Sequence, residues 1–329
     1  MTNVVVCFDQ VPEQSAGTPA TNAGALFRLT EVSPRQLAWY DSGVEPHGRS
    51  SARDAARDRV AQAYRFLQRT WCSGDAIFVF GVGRGAVCAR ELARLLGTIG
   101  IWQGDDAGSA VLDHLLEVCT LARTPRTDAD WQRIGRLAAD LTGRPHAGVP
   151  VRYLGLWDAI SVPGADRPAC AGLTNVVQGR HAVAIDGGPF GHLLTAPAVE
   201  QAWFRGAHCD VAGMRGGCLQ LADIALDWVL DGAVRAGLRL RNGCRLPSPT
   251  EFDALAGSSH TLSLRRVPEG AAVHASVQLY TQARPPYWRR LPARFEWTDR
   301  EWLARGERLV QAASETPAAA EPRELATAS

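Results

Sequence analysis

The chain contains no lysine: its 35 basic residues are all arginine, set against 34 acidic ones, for a formal charge of +1. That absence excludes Schiff-base chemistry on a lysine, a phosphate-loop lysine and a kinase-type lysine. The balanced charge gives no electrostatic ground for nucleic acid or an anionic membrane as partner. Cys7, Cys72, Cys88, Cys119, Cys170, Cys209, Cys218 and Cys244 form no Cys-x-x-Cys pair and fall at no zinc spacing, so they read as small buried apolar residues in a reducing compartment, with no metal expected. No apolar run reaches the length of a transmembrane span, and the short run after Met1 has no basic region ahead of it. A bacterial-type cytoplasm is the expected location, with export by a dedicated machine left open.

What the chain does have is 46% apolar residues over 329 positions, enough for one large α/β core with a small appendage. Its organising stretch runs from Asp75 to Leu96. Ile77 to Phe80 is a short apolar β-branched and aromatic run, Gly81, Gly83 and Gly85 follow at alternate positions, and Ala86 to Leu96 has helical apolar spacing. This predicts strand, tight turn, helix. The same unit carries Gly-x-Ser-x-Gly where a serine nucleophile is lifted above a sheet, because glycines on either side permit the sharp turn. Here the middle residue is Gly83.

Further strands are predicted over Val4–Phe8, Gln36–Tyr40, Val151–Trp157 and Ala202–Phe204, with Asp9 and Asp158 following the first and third of these. Thr21 or Asn22 caps a first helix, and Ala52–Trp71 is a long amphipathic one. Val111–Leu121 and Trp131–Leu141, separated by Pro125, read as a helical insert at about 107–147. Leu219–Ala236 is a further helix. Beyond Gly243 the runs Thr261–Arg265, Val273–Leu279 and Ala293–Trp297 read as strands, then Asp299–Ala312 as a last helix. The expected organisation is a domain over 1–244, a β-rich extension over 245–313 and a disordered Ala/Pro/Glu tail over 314–329.

An ordered set of motifs carries a resemblance. Asp9, Thr21-Asn22, Tyr40-Asp41-x-Gly43-Val44, Ala63-Tyr64-Arg65-Phe66-Leu67, Phe80-Gly81-x-x-Arg84-Gly85-Ala86-x-x-Ala89-Arg90 and Leu154-Gly155-x-Trp157-Asp158 are followed by Arg180-His181-Ala182-x-Ala184-Ile185-Asp186 and Trp203-Phe204-x-Gly206-x-His208-x-Asp210-Val211-x-Gly213. Over about residues 1–240 the chain resembles the catalytic domain of the type VI secretion phospholipase effector family, a branch of the α/β-hydrolases. The resemblance implies a mostly parallel sheet flanked by helices and a triad in the order Ser, Asp, His. Carried over, the nucleophile falls on Gly83, the acid on Asp158 and the base on His208.

The departures from the family pattern cluster in the same region. Asp9-Gln10-Val11 stands where the family tends to have Asp-Gly-Thr, Asp186-Gly187-Gly188 where it has an acidic residue and then an arginine, and Val211-Ala212-Gly213-Met214 replaces a more glycine-rich run. The expectation is a Ser-less, degenerate or repurposed relative, a pseudoenzyme-like domain working through its old pocket. Asp9, Gln10, Val82, Arg84, His181, Asp186 and Asp210 would line that pocket, with Asp158 and His208 as triad remnants. The partner would be a small-molecule or lipid-like ligand, or a protein. Two other readings stay open: general acid/base chemistry by His208 and Asp158 without a covalent step, and nucleotide binding at Gly81-x-Gly83-x-x-Ala86. No cofactor is expected on the first two.

Overall fold

The computed structural model describes residues 1–10, 21–43, 51–102, 106–122, 126–143, 148–163, 173–189, 191, 196–257 and 264–304. Eight strands form one sheet: β1 (Asn3–Phe8), β2 (Gln36–Asp41), β3 (Ala76–Val82), β4 (Tyr153–Trp157), β5 (Gly179–Ala184), β6 (Val199–Phe204), β7 (Ala271–His274) and β8 (Phe295–Thr298). Their order is β2-β1-β3-β4-β5-β6-β7-β8, and every neighbouring pair is parallel. Parallel pairing demands crossovers that cover both faces, which is why β1 and β3 are continuous apolar runs rather than alternating ones. All seven residues of β3 are buried.

Helices α1 (Asn22–Leu29) and α7 (Leu219–Arg235) cover one face, over a core that includes Phe78, Phe80, Trp157 and Trp228. Helices α2 (Ala52–Thr70), α3 (Arg84–Ile99), α4 (Asp106–Cys119) and α5 (Asp128–Thr142) lie on the other. The starts of α1, α2 and α5 follow from local chemistry. Thr21 Oγ1 accepts the Gly24 N–H at 3.1 Å, Ser51 Oγ accepts the Asp54 N–H at 3.1 Å, and Thr127 and Asp130 close a reciprocal capping box. The two helices expected between β3 and β4 are present.

The residues after 245 depart from expectation. β7 and β8 extend the same central sheet, and the described residues between 245 and β8 also include α8 (Glu251–Leu255), α9 (Ser276–Ala283) and a 3₁₀ turn over Pro285–Arg290. The run Val273–Leu279 is a strand only as far as His274, because Ala275 turns into α9 and side chains to both sides pack against a third small core containing Val273, Val277, Tyr280 and Tyr287. Of the last expected helix only a 3₁₀ turn at Trp302–Ala304 lies within the described residues. Residues 261–263 of another expected strand, and the tail over 314–329, fall outside them. No helix among the described residues is long and apolar enough to cross a membrane.

Candidate functional site

Because the strands run parallel, all their carboxyl ends meet at one edge, and in such sheets ligands bind outside that edge. Asp9 follows β1, Gly83 follows β3, Asp158 follows β4, Asp186 lies two residues beyond β5, and His208 opens the short helix α6 (His208–Ala212) after β6. Residues scattered over two hundred positions of chain thus become neighbours.

The turn at Gly83 is built by three glycines for separate reasons. Gly83 has φ of 56° and ψ of −115°, a strained region for any residue with a Cβ. A Cβ on Gly81 would stand 2.7 Å from the Ala86 backbone nitrogen, and one on Gly85 would overlap Phe8 O and lie 2.8 Å from Asp9 O. The first turn of α3 is therefore pressed against the ends of β1 and β3.

His208 and Asp158 are paired as the resemblance implied, with His208 Nδ1 2.8 Å from Asp158 Oδ2. Asp158 is wholly buried and sits in the left-handed region at φ 38°. Its other oxygen accepts the Ala184 N–H at 2.9 Å and an Nη1 hydrogen of Arg265. Burial pushes the Asp158 carboxyl up, but the His208 hydrogen bond, the Arg265 charge and the Ala184 N–H together bring it down to about 2. An isolated carboxylate could not remain ionised there, so the donors around it are what keep it charged.

Arg265 is a residue of this candidate site that sequence reading missed. Its Nη1 also donates to Ala184 O at 3.1 Å and its Nε to Gly188 O at 3.2 Å. A Cβ on Gly187 would stand 2.6 Å from the guanidinium carbon, and one on Gly191 would overlap it. The guanidinium fills space that side chains at 187 and 191 would need. Where the resemblance leads one to expect an arginine after the acidic residue, this chain has Gly187, and an arginine from 78 positions later occupies the neighbourhood. The one available signal was the unusual glycine pair Gly187-Gly188, which marks a close approach without naming what approaches.

Gln10 is placed at the centre of the site. Its Oε1 lies 3.1 Å from His208 Nε2 and accepts the Arg84 N–H at 3.3 Å. A Cβ added to Gly83 would overlap this oxygen, lie 2.6 Å from Gln10 Cδ and 3.1 Å from His208 Cε1. Asp9 holds the Gln10 backbone by accepting its N–H at 2.6 Å; its other oxygen accepts from Thr21 Oγ1 at 2.6 Å and Tyr40 Oη at 2.5 Å. Burial raises the Asp9 carboxyl in spite of these bonds and of Arg59, whose guanidinium donates to Asp9 O.

The remaining candidates divide. His181 lies fully buried beside the Asp158 turn, where its Nε2 accepts the Ala159 N–H at 3.3 Å and its Nδ1 faces Gln201 Oε1; burial lowers it to about 4, so it is neutral. Asp186 accepts from Gly206 N and, at 2.7 Å, from Tyr287 Oη, tying the 3₁₀ turn to the sheet. Asp210 caps its own helix through Ala207 N and binds Cys218 N, both at 2.7 Å. Val82 is buried within β3, whereas Arg84 is exposed. Cys88 is buried inside α3 and Cys209 is half-buried, both raised by burial and thus held as thiols. No cluster of metal-ligating side chains occurs among the described residues.

An eight-stranded parallel sheet with a glycine-flanked strand-to-helix turn and an Asp–His pair on nearby strand ends defines an α/β-hydrolase-like domain. The family model described as type VI secretion system, phospholipase effector Tle1-like, catalytic domain matches residues 2–232, and the chain belongs to that family. Uncharacterized protein YEL023C of Saccharomyces cerevisiae is 26% identical over 213 residues, which cover 56% of this chain and 31% of the yeast protein. This chain therefore corresponds to about a third of that relative. Among solved structures, the Tle1 effector bound to the VgrG spike of the type VI secretion system aligns at 14% identity with a TM-score of 0.38, covering 64% of this chain and 51% of that one. An uncharacterized protein from Pseudomonas aeruginosa aligns at 13% identity with a TM-score of 0.46, covering 95% and 66% respectively.

Proposed function

We propose that this domain works by binding a ligand or partner in the pocket of a former serine hydrolase, without a covalent acyl step. The observation that carries the reading is the pairing of Gly83 with Gln10. The position that the resemblance assigns to the nucleophile has no oxygen, and a carboxamide oxygen occupies the adjoining space between His208 and the Arg84 N–H. A serine hydrolase loses all but a small residue of its catalysis with its nucleophile. A small-molecule or lipid-like ligand fits a family of phospholipase effectors; a protein partner is the other candidate, since the related Tle1 effector is seen on a VgrG spike. The corresponding itinerary is synthesis in a bacterial-type cytoplasm and passage through a dedicated secretion machine.

One observation favours a second reading. The 2.8 Å His208–Asp158 pair keeps the geometry of a general base, and water admitted on displacement of Gln10 would meet Nε2. The two readings share the absence of a covalent intermediate. Treatment of the purified protein with a fluorophosphonate serine probe should therefore give no labelling, and stoichiometric labelling that maps to a pocket serine would sink both.

A further inference from the structure

A groove of about 420 Å³ lies away from the Gly83 turn, between α1, α7 and the chain from Arg245 to Asp253. That is within the size range of small-molecule sites. Its floor is apolar: Leu226 is buried, and Ala25, Leu29 and Leu246 are half-buried. Four charged side chains, Arg28, Arg245, Asp223 and Asp253, also line it. No ion pair among the described residues involves any of the four. Only Asp253 is engaged in a hydrogen bond, its Oδ2 accepting from Thr250 N and Thr250 Oγ1, each at 2.7 Å.

The two signs sit towards opposite ends. Asn22 Nδ2 donates to Ala222 O at 3.1 Å, which sets the first turns of α7, and Asp223 with them, beside the amino end of α1. The Arg241 N–H donates to Leu29 O at 2.8 Å, so the chain leading to Arg245 starts from the carboxyl end of α1, where Arg28 lies in the last turn. Helix rise puts Asn22 and Arg28 about 9 Å apart along α1. The titration of Asp223 agrees with this separation. Partial burial and then the Asp253 carboxylate raise it, whereas an arginine alongside would pull it the other way.

We infer that this groove binds a small zwitterion with an ammonium and a carboxylate at opposite ends of an apolar chain: the ammonium at Asp223 and Asp253, the carboxylate at Arg28 and Arg245, the chain along Leu29, Leu226 and Leu246. Two arginines set against two carboxylates select for both signs at once. A lone anion drawn to the arginines gains nothing from the acids, and a lone cation the reverse. A zwitterion brings each charge to its opposite and lays its methylenes on the leucines. An α-amino acid, whose charges share one carbon, does not span the two ends. This site goes beyond the reading of the Gly83 pocket and does not depend on it.

Caproate, hexylamine and ε-aminocaproate carry the anion, the cation and both on chains of equal length, and should be titrated into the full chain by calorimetry at low salt. ε-Aminocaproate should bind at least about threefold more tightly than either, the size of a partly exposed ion pair. Asp223→Asn should abolish its advantage over caproate, and the double variant Arg28→Gln, Arg245→Gln its advantage over hexylamine. Neither variant should lower the unfolding midpoint, because none of the three side chains holds a hydrogen bond or ion pair among the described residues. Equal binding of the three probes, no saturable binding of ε-aminocaproate, or an advantage that survives these substitutions would each overturn the inference. A lowered midpoint would do the same, by showing that the charges serve the fold. The groove shares no lining residue with Asp158 and His208, so failure here leaves the reading of the Gly83 pocket standing.

Discussion

Returning a serine to the turn offers a quantitative test of how Gly83 and Gln10 share one space. At φ 56° a serine carries backbone strain of about 1–3 kcal/mol. Its Cβ would also displace the Gln10 carboxamide, whose Cδ would lie 2.6 Å away, and so lose two hydrogen bonds of about 0.5–1.5 kcal/mol each. Gly83→Ser alone should therefore destabilise by about 2–6 kcal/mol. Gln10→Ala loses the same two bonds, so the double variant loses them once, not twice. The double-mutant cycle should give a coupling of about 1–3 kcal/mol, measured by urea unfolding of the four proteins. With the carboxamide gone, the new Oγ comes within about 2.6–3.2 Å of the His208 imidazole. Fluorophosphonate labelling should appear weakly in the double variant, less in Gly83→Ser, and disappear when His208→Ala is added. Additive stabilities, within about 0.5 kcal/mol, would refute the shared-space argument, as would equal labelling of the single and double variants.

The pH dependence of stability follows from two buried groups. The unfolded chain protonates His181 near its ordinary value of 6.5 while the folded chain resists until about 4, so the unfolded state binds more protons in between and stability should fall by about 3 kcal/mol as pH drops across that window. Asp158 adds a second loss of about 2 kcal/mol as pH falls from 3.8 towards 2; His181→Gln should remove the first phase only, read by denaturant unfolding at stepped pH. Arg265→Met leaves Asp158 with less compensation in a buried site and should destabilise by about 3–5 kcal/mol. Because the guanidinium overlies Gly187, Gly187→Arg should recover part of that loss in Arg265→Met but destabilise the wild-type background; unfolding midpoints that show no recovery would argue that Arg265 acts other than through the space beside Gly187.

Much of the fold was legible because local signals agreed with the global one. Val4–Phe8 and Ile77–Phe80 read as strands since a doubly covered parallel sheet makes its strands continuous apolar runs, and both are buried as read. The cap at Thr21 and the glycine-paced turn at Gly83 are decided by a side-chain oxygen and by steric freedom within a few residues. The ordered motifs also carried the family, and with it the meeting of Asp158 and His208.

Strand β5 was illegible for the opposite reason. Arg180 and His181 interrupt its apolar pattern, and they are tolerated only because Asp231, the Trp228 carbonyl and ring, the Ala159 N–H and Gln201 receive them from distant elements. β7 and β8 looked like the start of something separate, since pairing of a four-residue strand with β6 leaves no trace in its own sequence. The site was settled at the same level. Sequence supplied Gly83 and the Asp158–His208 pair, whereas the insertion of Gln10 into the vacant turn and of Arg265 into a glycine cradle depends on side chains crossing 73 and 107 positions of chain to reach Gly83 and Asp158. Periodicity and capping act over a few residues, but a charge is kept ionised, or an empty space filled, by whatever the packed chain brings within hydrogen-bond distance.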